Sequence, residues 1–239
     1  MERRKNKLLR EINLYSSNSK LLNIHPIEKI LLVVISLICC SYTKNIYLIF
    51  LNIFLLILLN VVAKNPWSII KKFIYIALIF SISTVITMIW QGQSLEAILL
   101  IIFRGINGAI TLSFLSLTTP INQIVAYISK YESIRDIADI IKAMERFIIL
   151  LEEDFSIVFN AMKSRGGFRN FKSSLNDYGK AFGLILKNIF IRWKEISLSL
   201  QNRCYNGKFN YSFTFKINKK IMLGIISYFL IFVVLIYLT

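Results

Sequence analysis

The chain has 239 residues, 56% of them hydrophobic, and its 29 Lys and Arg against 13 Asp and Glu give a net charge of +16. Soluble domains are about 45–50% apolar, and here the excess is gathered into long runs, which excludes an ordinary soluble domain and marks an integral membrane protein. In such a protein the positive balance reflects Lys and Arg held on the cytoplasmic side, so nucleic acid is not the expected partner.

The first twenty residues, MERRKNKLLREINLYSSNSK, are charged and polar, which does not fit a cleaved signal peptide. The Lys and Arg cluster at 3–10 is expected to anchor this end to anionic lipid headgroups. His25 precedes Pro26 and reads as a turn feature. Five apolar runs approach the roughly 20 residues needed to span a bilayer. They cover about 27–43, 46–63, 73–90, 95–117 and 221–238. Glu28 and Lys29 stand at the mouth of the first, and only Lys44 and Asn45 separate it from the second, so these two form a tight hairpin.

Charge then orients the chain. With the N-terminus in the cytoplasm, Lys64, Lys71 and Lys72 fall inside, QGQSLE at 91–96 falls outside, and 119–220 is cytoplasmic. Only Lys44 then lies in an outer loop and, beyond the mouth of the first span, only Arg104 within one, a strong positive-inside pattern. Arg104 is open to two readings, an intramembrane functional charge or a side chain that snorkels to the outer surface. Gly105, Gly108 and Ala109 offer a small-residue face for close helix packing. Asn52, Asn60 and Asn107 are expected to bond across helices within the bundle.

The block 119–220 is different. Up to residue 218 it holds 15 Lys/Arg and 9 Asp/Glu, yet it stays rich in apolar residues. Ile134, Ile137, Ile141, Met144, Ile148, Leu151, Phe155, Val158 and Met162 recur in steps of 3 and 4, one apolar stripe along a single long helix. Tyr178, Phe182, Ile185, Ile189, Trp193, Ile196 and Leu200 form a second stripe. Lys187, Arg192 and Lys194 would each cost about 2.5–3.5 kcal/mol at a bilayer centre, so this second helix also lies outside the hydrocarbon. Met144, Ile148, Leu151, Phe155, Met162, Trp193 and Leu200 are the expected packing residues of the pair.

Both helices end alike. The first reaches Ser164, Arg165 and Gly166, and the second Asn202, Arg203 and Cys204. Gly166 suits a left-handed C-terminal cap, and a cation in the last turn complements the helix dipole. A helix stop is thus one reading of Arg165. The other is a docking plug, a guanidinium offered to an acidic cleft of a partner. The repetition favours docking, with two similar plugs expected on one face for a single partner or a symmetric pair. With Cys204 in place of a glycine, the second stop is expected further on, at Asn206 or Gly207.

These residues resemble the transmembrane T component of energy-coupling factor (ECF) transporters, the EcfT/CbiQ family. That family carries two cytoplasmic motifs of Ala-Arg-Gly type, matched here at Ala161-Met162-Lys163-Ser164-Arg165-Gly166 and, more loosely, at Ser199-Leu200-Gln201-Asn202-Arg203-Cys204-Tyr205. HPIEKILL at 25–32 and LSLTTPINQIVAYI at 115–128 resemble two further family segments. The resemblance implies an all-α integral membrane protein with about five transmembrane helices plus long amphipathic cytoplasmic coupling helices. Its organisation would be a membrane region 1–118, a coupling region 119–220 and a last transmembrane helix 221–239. It implies two ABC ATPase subunits docked on the arginine motifs, a membrane S component that binds substrate, and a multi-pass location in the plasma membrane of a prokaryote. ATP and Mg would belong to the ATPases, with no cofactor on this chain, and cobalt, nickel and vitamins all remain open as cargo.

No G-x-x-x-x-G-K-[ST] phosphate loop is present, and no Ser/His/Asp set or Cys/His pair suggests catalysis. Cys39, Cys40, Cys204 and the single His25 have no metal-binding spacing. The chain is therefore expected not to be an enzyme. The alternative is a membrane-embedded enzyme acting on a lipid-borne substrate at the cytoplasmic interface, with Glu152, Glu153 and Asp154 as its catalytic candidates.

Overall fold

The computed structural model describes residues 8–204 and 218–238, with side chains from Glu11 onward. The described residues form helices joined by turns, with no strand among them. In chain order these are α1 (Leu8–Ser17), α2 (Pro26–Tyr42), α3 (Ile46–Val62), α4 (Trp67–Trp90), α5 (Leu95–Thr118), α6 (Ile121–Ile128), α7 (Arg135–Ser164), α8 (Phe171–Asn202) and α9 (Lys219–Leu238). A single 3-10 turn, Glu132–Ile134, precedes α7. Helices α4, α5 and α9 are long and apolar enough to cross a membrane. At 17 residues each, α2 and α3 sit at the short end of what spans hydrocarbon. Asn206 and Gly207, and the basic cluster from residue 3 to residue 7, lie outside the described residues.

The chain divides into two compact units, one of residues 11–124 with 213–239 and the other of 1–10 with 125–212. In the first, α5 is the hub, touching α2, α3 and α4, while α9 packs on α2. Val33, Ala63 and Phe114 are buried at one centre, and Ile69, Ile70 and Leu117 at another, where Ile12 of α1 also packs. Helix starts are chemically specified. His25 caps α2, its Nδ1 accepting the Ile27 N–H at 3.2 Å with Pro26 as the first helical residue. Asn45 caps α3 by accepting the Tyr47 N–H at 3.1 Å. Helix α4 begins six residues before the expected Phe73, because Pro66 ends the preceding turn and its carbonyl accepts the Ile69 N–H at 3.0 Å. Lys71 and Lys72 therefore ride on α4 rather than in a loop.

The intramembrane polar residues have specific uses. Arg104 donates from Nη2 to the Thr43 carbonyl at 2.8 Å, so this charge closes the frayed end of α2. Asn52 exchanges bonds with Ser36 of α2 and accepts the Tyr228 hydroxyl of α9 at 2.8 Å, joining three helices. Asn60 departs from expectation. Its amide donates to Leu56 O in its own helix, and its oxygen accepts from Asn65, so it shapes the end of α3 instead of bridging helices. Asn107, fully buried on α5, meets the Cys40 thiol of α2 across the bundle.

Gly105 lets α4 and α5 approach closely, since a Cβ there would collide with Ser81 Oγ, whereas one at Gly108 would meet Leu37 at an ordinary 3.9 Å. Because Ser81 can turn its hydroxyl aside and the next atom stands at an ordinary 3.7 Å, Gly105→Ala should destabilise the bundle by no more than about 1 kcal/mol. Adding Ser81→Ala should recover most of that loss, as read by thermal unfolding in detergent.

In the second unit, α7 and α8 pack on each other through a polar clasp and an aromatic cluster. Arg192 Nη2 donates to Asp154 Oδ1 at 2.7 Å, with the Asp154 side chain only 7% exposed. Phe168 stacks between Phe159 and Tyr178, with ring centroids 4.7 and 4.9 Å away. Helix α8 starts at Phe171, seven residues before the expected Tyr178, because the turn from α7 is short. Its buried residues are Ala181 and Ile185, while Phe182 and Trp193 of the expected stripe are exposed. The inward face of α8 is thus rotated toward 181, 185 and 192.

Removing Arg192 would leave Asp154 buried and unpaired. Arg192→Met should cost about 2 kcal/mol of helix-pair stability, and Asp154→Asn in the same chain should restore much of it, measured as hydrogen-exchange protection of α7.

Candidate docking site

The end of α7 is a complete Schellman cap. Gly166 N–H bonds Lys163 O at 3.1 Å, Gly167 N–H bonds Met162 O at 3.0 Å, and Gly166 has φ of +81°. Arg165 occupies the C-cap position just before it. Ser164 turns its hydroxyl back onto Asn160 O at 2.7 Å, which keeps the last turn closed. Beyond the cap, the Asp177 carboxylate of α8 accepts the Phe168 N–H at 2.9 Å and the Ser173 hydroxyl at 3.3 Å. Phe168, itself at φ of +62°, is locked by the aromatic cluster. Arg165 is therefore projected, exposed, from a corner rigid on both sides.

The end of α8 repeats this geometry as far as the described residues run. Arg203 is the C-cap, Cys204 N–H bonds Gln201 O at 3.0 Å, and Cys204 adopts φ of +55°. The expected later stop is thus corrected: α8 ends at Asn202, and Cys204 takes the same left-handed position that Gly166 takes after α7. A Cβ-bearing residue there is held at a steric cost. Arg203, like Arg165, is exposed and makes no ion pair among the described residues.

The two arginines do not share one face. Arg165 stands just before the start of α8 and Arg203 at its far end, and 32 residues of helix separate them by about 48 Å. Between them, α7 and α8 form an apolar cleft of about 420 Å³ lined by Leu151, Glu152, Phe155, Phe182, Ile185, Leu186 and Ile189. Met162 and Leu200 are half-buried, whereas Met144, Ile148 and Trp193 stand exposed on this chain. Of the acidic candidates for catalysis, Asp154 is committed to Arg192, and Glu152 lines the apolar cleft. Nothing in the sequence pointed directly to Asp177, nine residues from the amide it holds, or to Phe159 and Phe168 as a cluster. Only the aromatic spacing 155, 159, 168, 178 hinted at it.

Gly166→Ala should loosen the last turn of α7 by about 1 kcal/mol, and Cys204→Gly should tighten that of α8 by a similar amount, both read as hydrogen-exchange rates of the terminal amides.

Comparison with known proteins agrees with this architecture. The family model for CbiQ, cobalt transport protein, matches residues 17–215. An uncharacterised protein of Methanocaldococcus jannaschii is 27% identical over 219 aligned residues, which take in 80% of this chain and 79% of that protein. A protein of Methanocorpusculum labreanum described as a fused cobalt transport protein CbiMQ is 30% identical over 118 residues, 48% of this chain and only 19% of that longer protein.

Proposed function

The chain belongs to the CbiQ family of cobalt transport proteins, and on that premise we propose that it is the transmembrane coupling subunit of an ECF-type ABC importer with cobalt as cargo. In this reading the subunit has no active site. It sits in the plasma membrane of a prokaryote with its N-terminus in the cytoplasm, spans the bilayer with α2, α3, α4, α5 and α9, and holds a membrane S component that binds the substrate. Two ABC ATPases, which bind the ATP and Mg, dock on the ends of α7 and α8. Met144, Ile148 and Trp193, exposed on this chain, are then available to those partners.

The observation that carries the proposal is the repeated cap. Two long helices end alike, each placing an exposed arginine just before a left-handed residue, and about 48 Å of helix keeps them apart. A single acidic cleft cannot accept both ends, whereas one cleft on each of two ATPases can. The five-donor guanidinium is suited to such a cleft, and Ser164, Gly166, Asn202 and Cys204 hold it in place.

The test is capture of co-expressed ATPases by the full chain in mild detergent. Arg165→Glu and Arg203→Glu should each weaken binding at their own site about a hundredfold, since losing one partner of a buried charge pair costs about 2–5 kcal/mol, so that each single variant captures about half the ATPase and the double variant almost none. Capture that is unchanged in both single variants and in the double variant would refute the assignment.

A further inference from the structure

The chain leaves α5 after Thr118 and begins α9 after Asn218, and the residues between carry both arginine caps. Both of those points are held by one dipeptide in the first turn of α2. Lys29 Nζ donates at 2.8 Å to the carbonyl of Thr118, the last residue of α5. Glu28 Oε1 accepts at 2.7 Å the backbone N–H of Asn218, which stands immediately before α9 and caps it by accepting the Lys220 N–H. Glu28 and Lys29 are only 2% and 3% exposed.

The chemistry suits each end. A helix C-terminus offers unpaired carbonyls and partial negative charge, which an ammonium satisfies. A helix N-terminus offers unpaired N–H groups and partial positive charge, which a carboxylate satisfies. Placed side by side, the two opposite charges are buried without a net charge. The arrangement is more than packing requires. Glu28 Oε2 is buried with no hydrogen-bond partner among the described residues, so the carboxylate is kept at a cost that an apolar residue would avoid. What an apolar residue could not do is grip the start of α9.

The segments that carry this clamp are the same two that stood out in the sequence, 25–32 and 115–128. Just before the first of them, Leu22 O accepts a bond from Gln123 of α6 at 3.0 Å. The path from α5 toward α7 is thus fastened on both sides of Pro120.

We propose that Glu28 and Lys29 are positioning residues that clamp both ends of the 119–217 segment onto α2, so that displacement of the arginine-capped helices is delivered to that membrane helix. This rests on the coupling role proposed above. Both side chains are buried within this chain, so their part is one of position.

The test is hydrogen exchange on the full chain in nanodiscs, alone and with the two ATPases, for wild type, Glu28→Gln, Lys29→Met and the milder Glu28→Asp. In the chain alone, Glu28→Gln, whose amide oxygen can still accept but carries no charge, should speed exchange at 218–222 by about tenfold and affect 115–119 much less. Lys29→Met should do the reverse. Glu28→Asp, one methylene shorter, should give an intermediate effect at 218–222 and serves if Glu28→Gln does not fold. With the ATPases bound, ATP should alter exchange across α2 in wild type but not in the variants, at unchanged ATPase capture. Unchanged exchange at both ends in every variant would overturn the clamp. A full ATP response of α2 in the variants would overturn its part in transmission. If wild type holds no ATPase, the coupling role fails and transmission with it, while the exchange of the chain alone still decides the clamp.

Discussion

Charge is expensive in hydrocarbon, about 2.5–3.5 kcal/mol for a basic residue at the centre of a span, and this constraint organises the whole chain. It keeps α3, α4, α5 and α9 nearly free of charge in their interiors and leaves α7 and α8, which carry many more charges, to form a unit of their own. Where charge does enter the membrane-spanning unit, it is used on the ends of helices. Arg104 closes the end of α2, Lys29 that of α5, and Glu28 opens α9. Each pairs with a backbone group that hydrocarbon would otherwise leave unsatisfied.

The same backbone logic governs the other unit, with the opposite outcome. The ends of α7 and α8 satisfy their own carbonyls by left-handed caps, so Arg165 and Arg203 are not needed there as hydrogen-bond donors. Their guanidinium groups remain exposed. A rigid corner, fixed by Asp177 on one side and by the Phe159, Phe168 and Tyr178 rings on the other, limits the entropy lost when such a side chain is bound. Structure that would be excessive for a simple helix stop is what a docking element requires.

Much of this was legible in the sequence because the signals were local. The apolar runs located the helices of the membrane unit to within a few residues, and Gly166 announced the end of α7 because only glycine takes positive φ without a Cβ penalty. Cys204 carried no such signal, so the matching cap on α8 could not be foreseen. The turn between α7 and α8 was missed because the ties that shorten it, from Asp177 and the aromatic cluster, are tertiary. The stripe on α8 misled for a related reason. Its periodicity revealed an apolar face, but the Asp154–Arg192 clasp, between two residues that looked like surface charges, decided which face turns inward. Asn52 and Asn60 look identical in an apolar run, and only the neighbouring helices separate a bridging amide from one that finishes its own helix.

The central claim is that two similar caps, kept apart by the length of α8, hold two ATPases independently. Native mass spectrometry of the full chain released from detergent with its co-expressed ATPases counts them directly. The account predicts two ATPases on wild type, one on Arg165→Glu, one on Arg203→Glu and none on the double variant. Loss of both ATPases from either single variant, or two retained on the double variant, would contradict it.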